Sequence, residues 1–352
     1  MRYHTFGRHS GLRVSEYVLG TANFGSAPAA AGLEGSRAIF ESFVAAGGTT
    51  IDTSNIYQDG EAETILGDLL GRERDDYVVI TKYTGSRSAQ VRPGTTGNGR
   101  KTMIRSLEES LRRLRTDYVD VFMPHLPDGV TPLPEILAGF DDLIRAGKIR
   151  YGGVSNFPAW RVAGAAVRSE LSGRMPLVGI QTEYSLAERS AEREFFPMAQ
   201  AHGLGVVLYS PLAGGLLTGK YRHGEQGRLS ARATAGERIG EGGEQRTAVL
   251  DAVLAVAAEI GTGPVQIALA WLRQRAARAQ TSMIPIVGPR TPAHLAGYLD
   301  ALNVELDPHH YQLLDEVSAI RFGAPYEDVA TALAHGVDGD RSLLDGPHVP
   351  VI

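Results

Sequence analysis

The chain contains no cysteine. Disulfides, thiolate nucleophiles and cysteine-held metal centres are therefore outside its chemistry. Lysine is scarce: of 35 basic residues only Lys82, Lys101, Lys148 and Lys220 are lysines. Where arginine is the general-purpose cation, each lysine stands out as a compact point charge that a guanidinium does not replace. No apolar run reaches the ~18 residues of a membrane-spanning helix, and the opening stretch MRYHTFGRHSGLRVSEYVLG lacks the apolar centre of a secretory signal. A cytoplasmic protein with no membrane partner is the expectation. A basic excess is missing too: the net charge is −5, so no nucleic-acid partner is expected. Neither the dinucleotide fingerprint G-x-G-x-x-G nor a Walker A loop occurs, and GTGPVQ (Gly261–Gln266) fails at its last glycine.

What is present is enough for a large core: 352 residues, 43% of them hydrophobic. Short apolar runs alternate with helical patterns along the chain. Strands are expected at Tyr17–Gly20, Thr49–Asp52, Tyr77–Lys82, Val119–His125, Ile149–Ser155, Val178–Glu183, Gly205–Ser210 and Ser282–Gly288. Helical spacing fills the intervals; in Thr102–Leu114, for example, Ile104, Leu107, Leu111 and Leu114 share one face. This alternation predicts an α/β fold of parallel strands joined by helices. A closed (β/α)8 TIM barrel satisfies the count, with a doubly wound open sheet as the alternative. No linker divides the chain, so one domain is expected over residues 1–320, with an extra helix at Pro308–Ile320. Residues 321–352 form a polar tail, either packed on that domain or partly disordered. Two long loops, Thr84–Gly99 and Tyr221–Gly243, follow strands three and seven, which places them on the C-terminal face where barrel enzymes build their sites.

Three ionisable residues end three consecutive strands: Asp52, Lys82 and His125. Tyr57 follows five residues after Asp52. Neighbouring strands lie ~4.8 Å apart, so these side chains can meet. Singly, each has an ordinary explanation: a turn-capping aspartate, a solvated lysine, a packing tyrosine, a surface histidine. Together they fit proton transfer. A phenol with an unperturbed pKa of ~10 gains acidity beside an ammonium. A carboxylate holds that ammonium charged and in place, and a histidine directs a hydrogen bond at a substrate oxygen. The pair His309–His310 does not share a helix face and reads as surface, and no carboxylate or histidine spacing suggests a metal site. Glycines with a cation leave strands seven and eight, in YSPLAGGLLTGKY (Tyr209–Tyr221) and PIVGPRT (Pro285–Thr291). Exposed backbone amides beside Lys220 and Arg290 suit phosphate groups.

Assembled, the chain resembles the aldo-keto reductase family over about residues 1–320. The motifs that carry the resemblance are GLRVSEYVLGTANFG (Gly11–Gly25), IDTSNIYQDGEAETILGDLL (Ile51–Leu70), VITKY, YVDVFMPHLPD (Tyr118–Asp128), GKIRYGGVSNF (Gly147–Phe157), IQTEYSLAER (Ile180–Arg189), YSPLAGGLLTGKY and IVGPRTPAHL. Long-loop bacterial reductases, deoxysugar ketoreductases and potassium-channel β-subunits are the most similar branches. The resemblance implies a TIM barrel, NADP(H) bound without a Rossmann fold, no metal, and a small-molecule carbonyl substrate. Monomer and homo-oligomer are both compatible with it. It maps the family's catalytic tetrad onto Asp52, Tyr57, Lys82 and His125. It sets Gly20, Thr21 and Asp52 near the nicotinamide ribose; Ser155, Asn156 and Gln181 on the carboxamide; and Tyr209 against the ring. Ser210, Pro211, Leu212, Gly214, Leu216 and Lys220 follow along the pyrophosphate, and Gly288, Arg290 and His294 at the adenosine end. Here the chain departs from the family, whose frequent Gln and Asn are replaced by His294 and Tyr298. Phe24 and Tyr83 are expected to wall the substrate pocket with Tyr57 and His125. The function implied is reduction of an aldehyde, a ketone or a keto-sugar, with Tyr57 as general acid. The alternative is a cofactor-loaded regulatory subunit of the channel β-subunit kind.

Overall fold

In a computed structural model that describes residues 1–87, 90–225, 227, 229, 243–333 and 343, the expected alternation closes on itself. A hairpin of β1 (Tyr3–Thr5) and β2 (Arg13–Ser15) precedes the barrel. The barrel strands are β3 (Val18–Gly20), β4 (Thr50–Asp52), β5 (Val78–Tyr83), β6 (Val119–Pro124), β7 (Ile149–Gly152), β8 (Val154–Ser155), β9 (Gly179–Glu183), β10 (Gly205–Tyr209) and β11 (Met283–Val287). All pair in parallel, in the order β7-β6-β5-β4-β3-β11-β10-β9-β8. β7 and β8 are two halves of one extended stretch interrupted at Gly153, so the ninth strand is the other half of the fifth and the sheet is a (β/α)8 barrel. Gly153 stitches the seam, its N–H donating to Phe122 O at 3.1 Å. A Cβ there would press on Met123 and on Gly179 O, at 2.7 and 2.9 Å.

Strand periodicity sorts the side chains into two layers. Val18, Ile80, Val121, Met123, Val207, Ile284 and Ile286 fill the barrel, while Leu19, Ile51, Val79, Phe122, Ile180, Leu208 and Val287 face the helices. The helices that cover them are α1 (Gly32–Ala45), α2 (Glu61–Leu70), α3 (Arg100–Leu114), α4 (Leu133–Arg145), α5 (Ala159–Leu171), α6 (Phe195–Ala201), α7 (Glu244–Ile260), α8 (Pro264–Ala277) and α9 (Pro292–Asp300). After them come the expected extra helix, α10 (Pro308–Val317), and a short α11 (Tyr326–Ala332) within the segment read from sequence as a polar tail. No single helix among the described residues is long and apolar enough to cross a membrane.

The N-terminal hairpin was not anticipated from sequence, because strands of three residues, the first exposed throughout, are too short to carry an apolar pattern. It leads into Phe6, 1% exposed, which plugs the lower end of the barrel. The plug needs glycine above it: a Cβ at Gly179 would stand 2.4 Å from Gly205 O and 2.6 Å from Phe6 Cε1. Gly179→Ala therefore overpacks a site walled by backbone, and should cost about 1–3 kcal/mol of stability, read as a lower midpoint in urea unfolding. An unchanged midpoint would mean the plug yields.

Candidate active site

The inward positions at the C-terminal ends of the strands carry the polar residues. Asp52 ends β4, Lys82 lies two residues above Ile80 on the inner face of β5, and His125 follows β6 two residues above Met123. Gln181 and Tyr209 hold the corresponding places on β9 and β10. The same two-residue rhythm that fills the barrel with aliphatic side chains thus ends it in a ring of hydrogen-bonding groups.

Lys82 is fully buried and Asp52 nearly so. The Lys82 ammonium donates to both Asp52 carboxylate oxygens, at 2.7 and 2.8 Å, and to Thr53 O at 2.7 Å. Burial pushes a lysine toward neutrality, but the charge of Asp52 and the hydrogen-bonding phenol of Tyr57 outweigh it, so the ammonium is held above its usual range. Gln181 donates its amide to Asp52 Oδ2 at 2.8 Å, and Thr21 gives both its N–H and its hydroxyl to Asp52 O.

Tyr57 reaches this point by a turn. Its N–H donates to Ser54 O, and the chain then reverses through Gln58 and Asp59, both in the left-handed region, to Gly60 at φ +87°. Gln58 fastens the reversal by donating to Ala22 O at 2.8 Å. The phenol returns over the barrel mouth with Lys82 Nζ 5.1 Å from its ring centroid and its ring edge-on to His125 at 5.7 Å. Tyr57 and His125 are half-buried, open on one side. Burial first and the charge of Lys82 second lower the His125 pKa to about 3, so its imidazole is neutral.

A second set of polar residues adjoins the first. Asn156, in the left-handed conformation that asparagine tolerates, donates to His125 O at 2.9 Å and to Ser155 Oγ at 3.0 Å. It accepts from the Tyr209 hydroxyl at 3.0 Å. Burial, then the charges around it, raise the Tyr209 pKa to about 12, so that phenol stays a donor. Beyond β10 the chain winds through Ser210, Ala213, Gly214 and Gly215, all with positive φ. Pro211, Leu212 and Leu216 are buried. Of the seven non-glycine residues with positive φ among the described residues, all but Arg115 lie on loops leaving the upper ends of barrel strands. Backbone strain is concentrated where a site would be.

The donor set along this path fits an extended nucleotide. Gly215 has no Cβ where Lys220 lies: one would come within 3.0 Å of Lys220 Cε. At Gly288 an added Cβ meets nothing within 4 Å, so the backbone there opens on free space, while Gly20 packs directly against Ile286. Lys220 and Arg290 gather beside the exposed His294, whose pKa is lowered by desolvation first and then by these two cations. Two cations at one end and amide groups at the other match phosphates and a carboxamide.

Two sequence-predicted pocket residues are placed elsewhere. Tyr83 follows Lys82 on β5, so the strand turns its ring outward: it is fully buried, stacked on Phe122 at 4.9 Å, with its hydroxyl donating to Asn98 O. Phe24, folded inward by the turn from Thr21, is also fully buried in the layer between barrel and helices. The long loop after β10 lies mostly outside the described residues, as does most of the segment after residue 333. Conversely, residues not singled out hold the His125 segment. The His125 N–H meets Tyr83 O at 2.7 Å and Thr84 Oγ1 at 3.1 Å. Thr84 in turn donates to Asn98, whose amide donates to Leu126 O and whose N–H donates to Asp128. The available signal was Asn98 set between two glycines, a composition typical of side chain to backbone bonding in loops. Ser54, fully buried, places its hydroxyl 3.1 Å from His125 Nδ1.

Comparison with known proteins adds a second line. The model of the "Aldo/keto reductase family" matches residues 16–319. An aryl-alcohol dehydrogenase [NADP(+)] of Phanerodontia chrysosporium is 32% identical, covering 91% of this chain and 88% of its own. An oxidoreductase of Bacillus subtilis is 34% identical over 90% and 96%. A putative voltage-gated potassium channel subunit beta of Schizosaccharomyces pombe is 34% identical over 76% and 79%.

Proposed function

Because the chain belongs to the aldo/keto reductase family, we propose that it is an NADP(H)-dependent carbonyl reductase acting on aromatic aldehydes or ketones, with Asp52, Tyr57, Lys82 and His125 as its catalytic residues. The observation that carries this reading is the convergence of a charged, buried Lys82, a half-open phenol and a neutral imidazole at one point of the barrel mouth.

The cofactor, when bound, supplies the hydride that reduces the carbonyl carbon. Ser155, Asn156 and Gln181 would hold its carboxamide, Tyr209 would face its ring, and Gly20, Thr21 and Asp52 would border the adjoining ribose. The winding from Ser210 to Lys220, through Leu212, Gly214 and Leu216, would take the pyrophosphate; Gly288, Arg290 and His294 would take the adenosine phosphate. Neutral His125 directs the carbonyl oxygen toward Tyr57. As negative charge grows on that oxygen, the Tyr57 O–H bond breaks and the proton passes to it. The resulting phenolate is stabilised by Lys82, which Asp52 keeps charged and in place. Fixed charges aimed at an oxygen that becomes negative in the transition state are the strongest single source of acceleration in such a site.

Two observations favour an aromatic substrate over the keto-sugar. Ile56, Val91, Leu126, Val130 and Trp160 are large, exposed and apolar, and all sit on segments following barrel strands at the open face. Apolar side chains on this face suit an aromatic ring better than a hydroxyl-rich sugar. The relative from Phanerodontia chrysosporium is, moreover, named for aryl alcohols. In an assay of benzaldehydes, aliphatic aldehydes and keto-sugars with NADPH and with NADH, the expected result is highest kcat/KM for the aromatic compounds with NADPH. Preference for keto-sugars would overturn the substrate class. Stable NADPH binding with no turnover of any carbonyl would favour the regulatory-subunit alternative.

A further inference from the structure

Ser54 lies two residues beyond Asp52, in the short segment that leads to Tyr57, and none of its surface is exposed. Its hydroxyl faces His125 Nδ1 at 3.1 Å. A neutral imidazole carries one N–H and one bare nitrogen, and the partner of one nitrogen decides the state of the other. His125 is neutral, for the reasons of burial and Lys82 charge given above. Its backbone is pinned on both sides, the N–H by Tyr83 O and Thr84 Oγ1 and the carbonyl by Asn156. What is left to be set is which ring nitrogen holds the proton.

We propose that Ser54 is a positioning residue that sets the tautomer of His125, donating to Nδ1 so that Nε2 carries the proton. This rests on the reading of His125 as the group that binds the substrate oxygen. Ser54 has one hydroxyl hydrogen and two acceptors in reach, His125 Nδ1 at 3.1 Å and Asn55 Oδ1 at 3.4 Å. Asn55 is oriented by its own amide, which donates to Gly85 O at 3.2 Å, so its oxygen faces Ser54. Of the two, Nδ1 is the nearer, and the chemistry at Nε2 decides which of them takes the hydrogen. The opposite tautomer would use Ser54 as acceptor from Nδ1–H and present a lone pair at Nε2. A lone pair facing a carbonyl oxygen repels it, and the imidazole would then oppose substrate binding in the reactive pose. A hydroxyl at position 54 thus decides whether the neutral imidazole attracts or repels the carbonyl.

The test is 15N NMR of the full chain labelled at histidine, near neutral pH, with NADPH present. The His125 signals are assigned by their absence in His125→Gln. The expected spectrum has a pyridine-like Nδ1 and a pyrrole-like Nε2. In Ser54→Ala the two nitrogens should move toward a mixture of tautomers. Carbonyl turnover should fall roughly 3- to 10-fold, the worth of one neutral hydrogen bond, with NADPH affinity unchanged. Ser54→Thr, which keeps the hydroxyl, should restore both. A proton on Nδ1 in the parent protein overturns the proposal, and that spectrum decides even where Ser54→Ala does not fold. A Ser54→Ala spectrum identical to the parent's also overturns it. The expected spectrum combined with full turnover in His125→Gln would instead remove His125 from the mechanism and leave the tautomer assignment standing.

Discussion

Tyr57→Phe should lower the rate of carbonyl reduction by roughly 10²- to 10⁴-fold, the usual worth of a positioned general acid. It should do so without loosening NADPH. The phenol contributes one atom to the chemistry, its hydroxyl hydrogen, and the substitution removes that oxygen while keeping the ring that packs edge-on to His125. The residues proposed to hold the cofactor, Ser155, Asn156, Gln181, Tyr209, Lys220 and Arg290, lie on other strands and other loops. Their hydrogen bonds include Tyr209 to Asn156 and Gln181 to Asp52. Cofactor affinity by fluorescence titration should therefore stay within about twofold while steady-state turnover collapses. Loss of both together would mean that Tyr57 shapes the barrel mouth and is not the proton donor.

Lys82→Met should have two separable effects. The first is loss of turnover, because nothing then stabilises the Tyr57 phenolate. The second is a loss of about 3–5 kcal/mol in stability, because Asp52 is left as a buried carboxylate without its cation. Lys82 donates three hydrogen bonds inside the barrel, two of them to Asp52, and Gln181 alone is a neutral substitute for that charge. Replacing both partners of a buried ion pair is commonly neutral or stabilising. The pair Asp52→Asn, Lys82→Met should accordingly recover most of the lost stability and none of the activity. Unfolding midpoints in urea and steady-state rates on the same three proteins distinguish the effects. Full activity in Lys82→Met would remove the ammonium from the mechanism.

The sequence carried the barrel and much of its polar mouth. Eight apolar runs alternating with helical spacing were enough for the architecture, since strands buried on both faces read as continuous apolar segments. Asp52, Lys82 and His125 were legible because they interrupt or end such segments with groups that a buried strand does not ordinarily tolerate. Tyr83 and Phe24 were misplaced, for different reasons. Tyr83 was readable: once Lys82 faces inward, strand periodicity sends its neighbour outward, onto Phe122. Phe24 was not, because a turn from Thr21 sets its direction and turns carry no period. The N-terminal hairpin was missed because its six strand residues are short and largely exposed, and the residue that matters, Phe6, follows the first strand. The bonds that join His125 to Thr84 and Ser54 depend on distances between residues 41 and 71 positions apart, which no local pattern encodes. Such contacts follow only from the strand order that sets β4, β5 and β6 side by side.

In the proposed reaction the Tyr57 phenol, beside Lys82, gives its proton to a carbonyl oxygen. A single-turnover experiment addresses it most directly. Tyr57→Phe protein preloaded with NADPH is mixed with an aromatic aldehyde in a stopped-flow instrument, and loss of the reduced-nicotinamide absorbance is followed against the parent protein. The expected result is a bound cofactor that is consumed at least 10²-fold more slowly. Consumption at a rate within a few-fold of the parent's would mean that Tyr57 is not the proton donor.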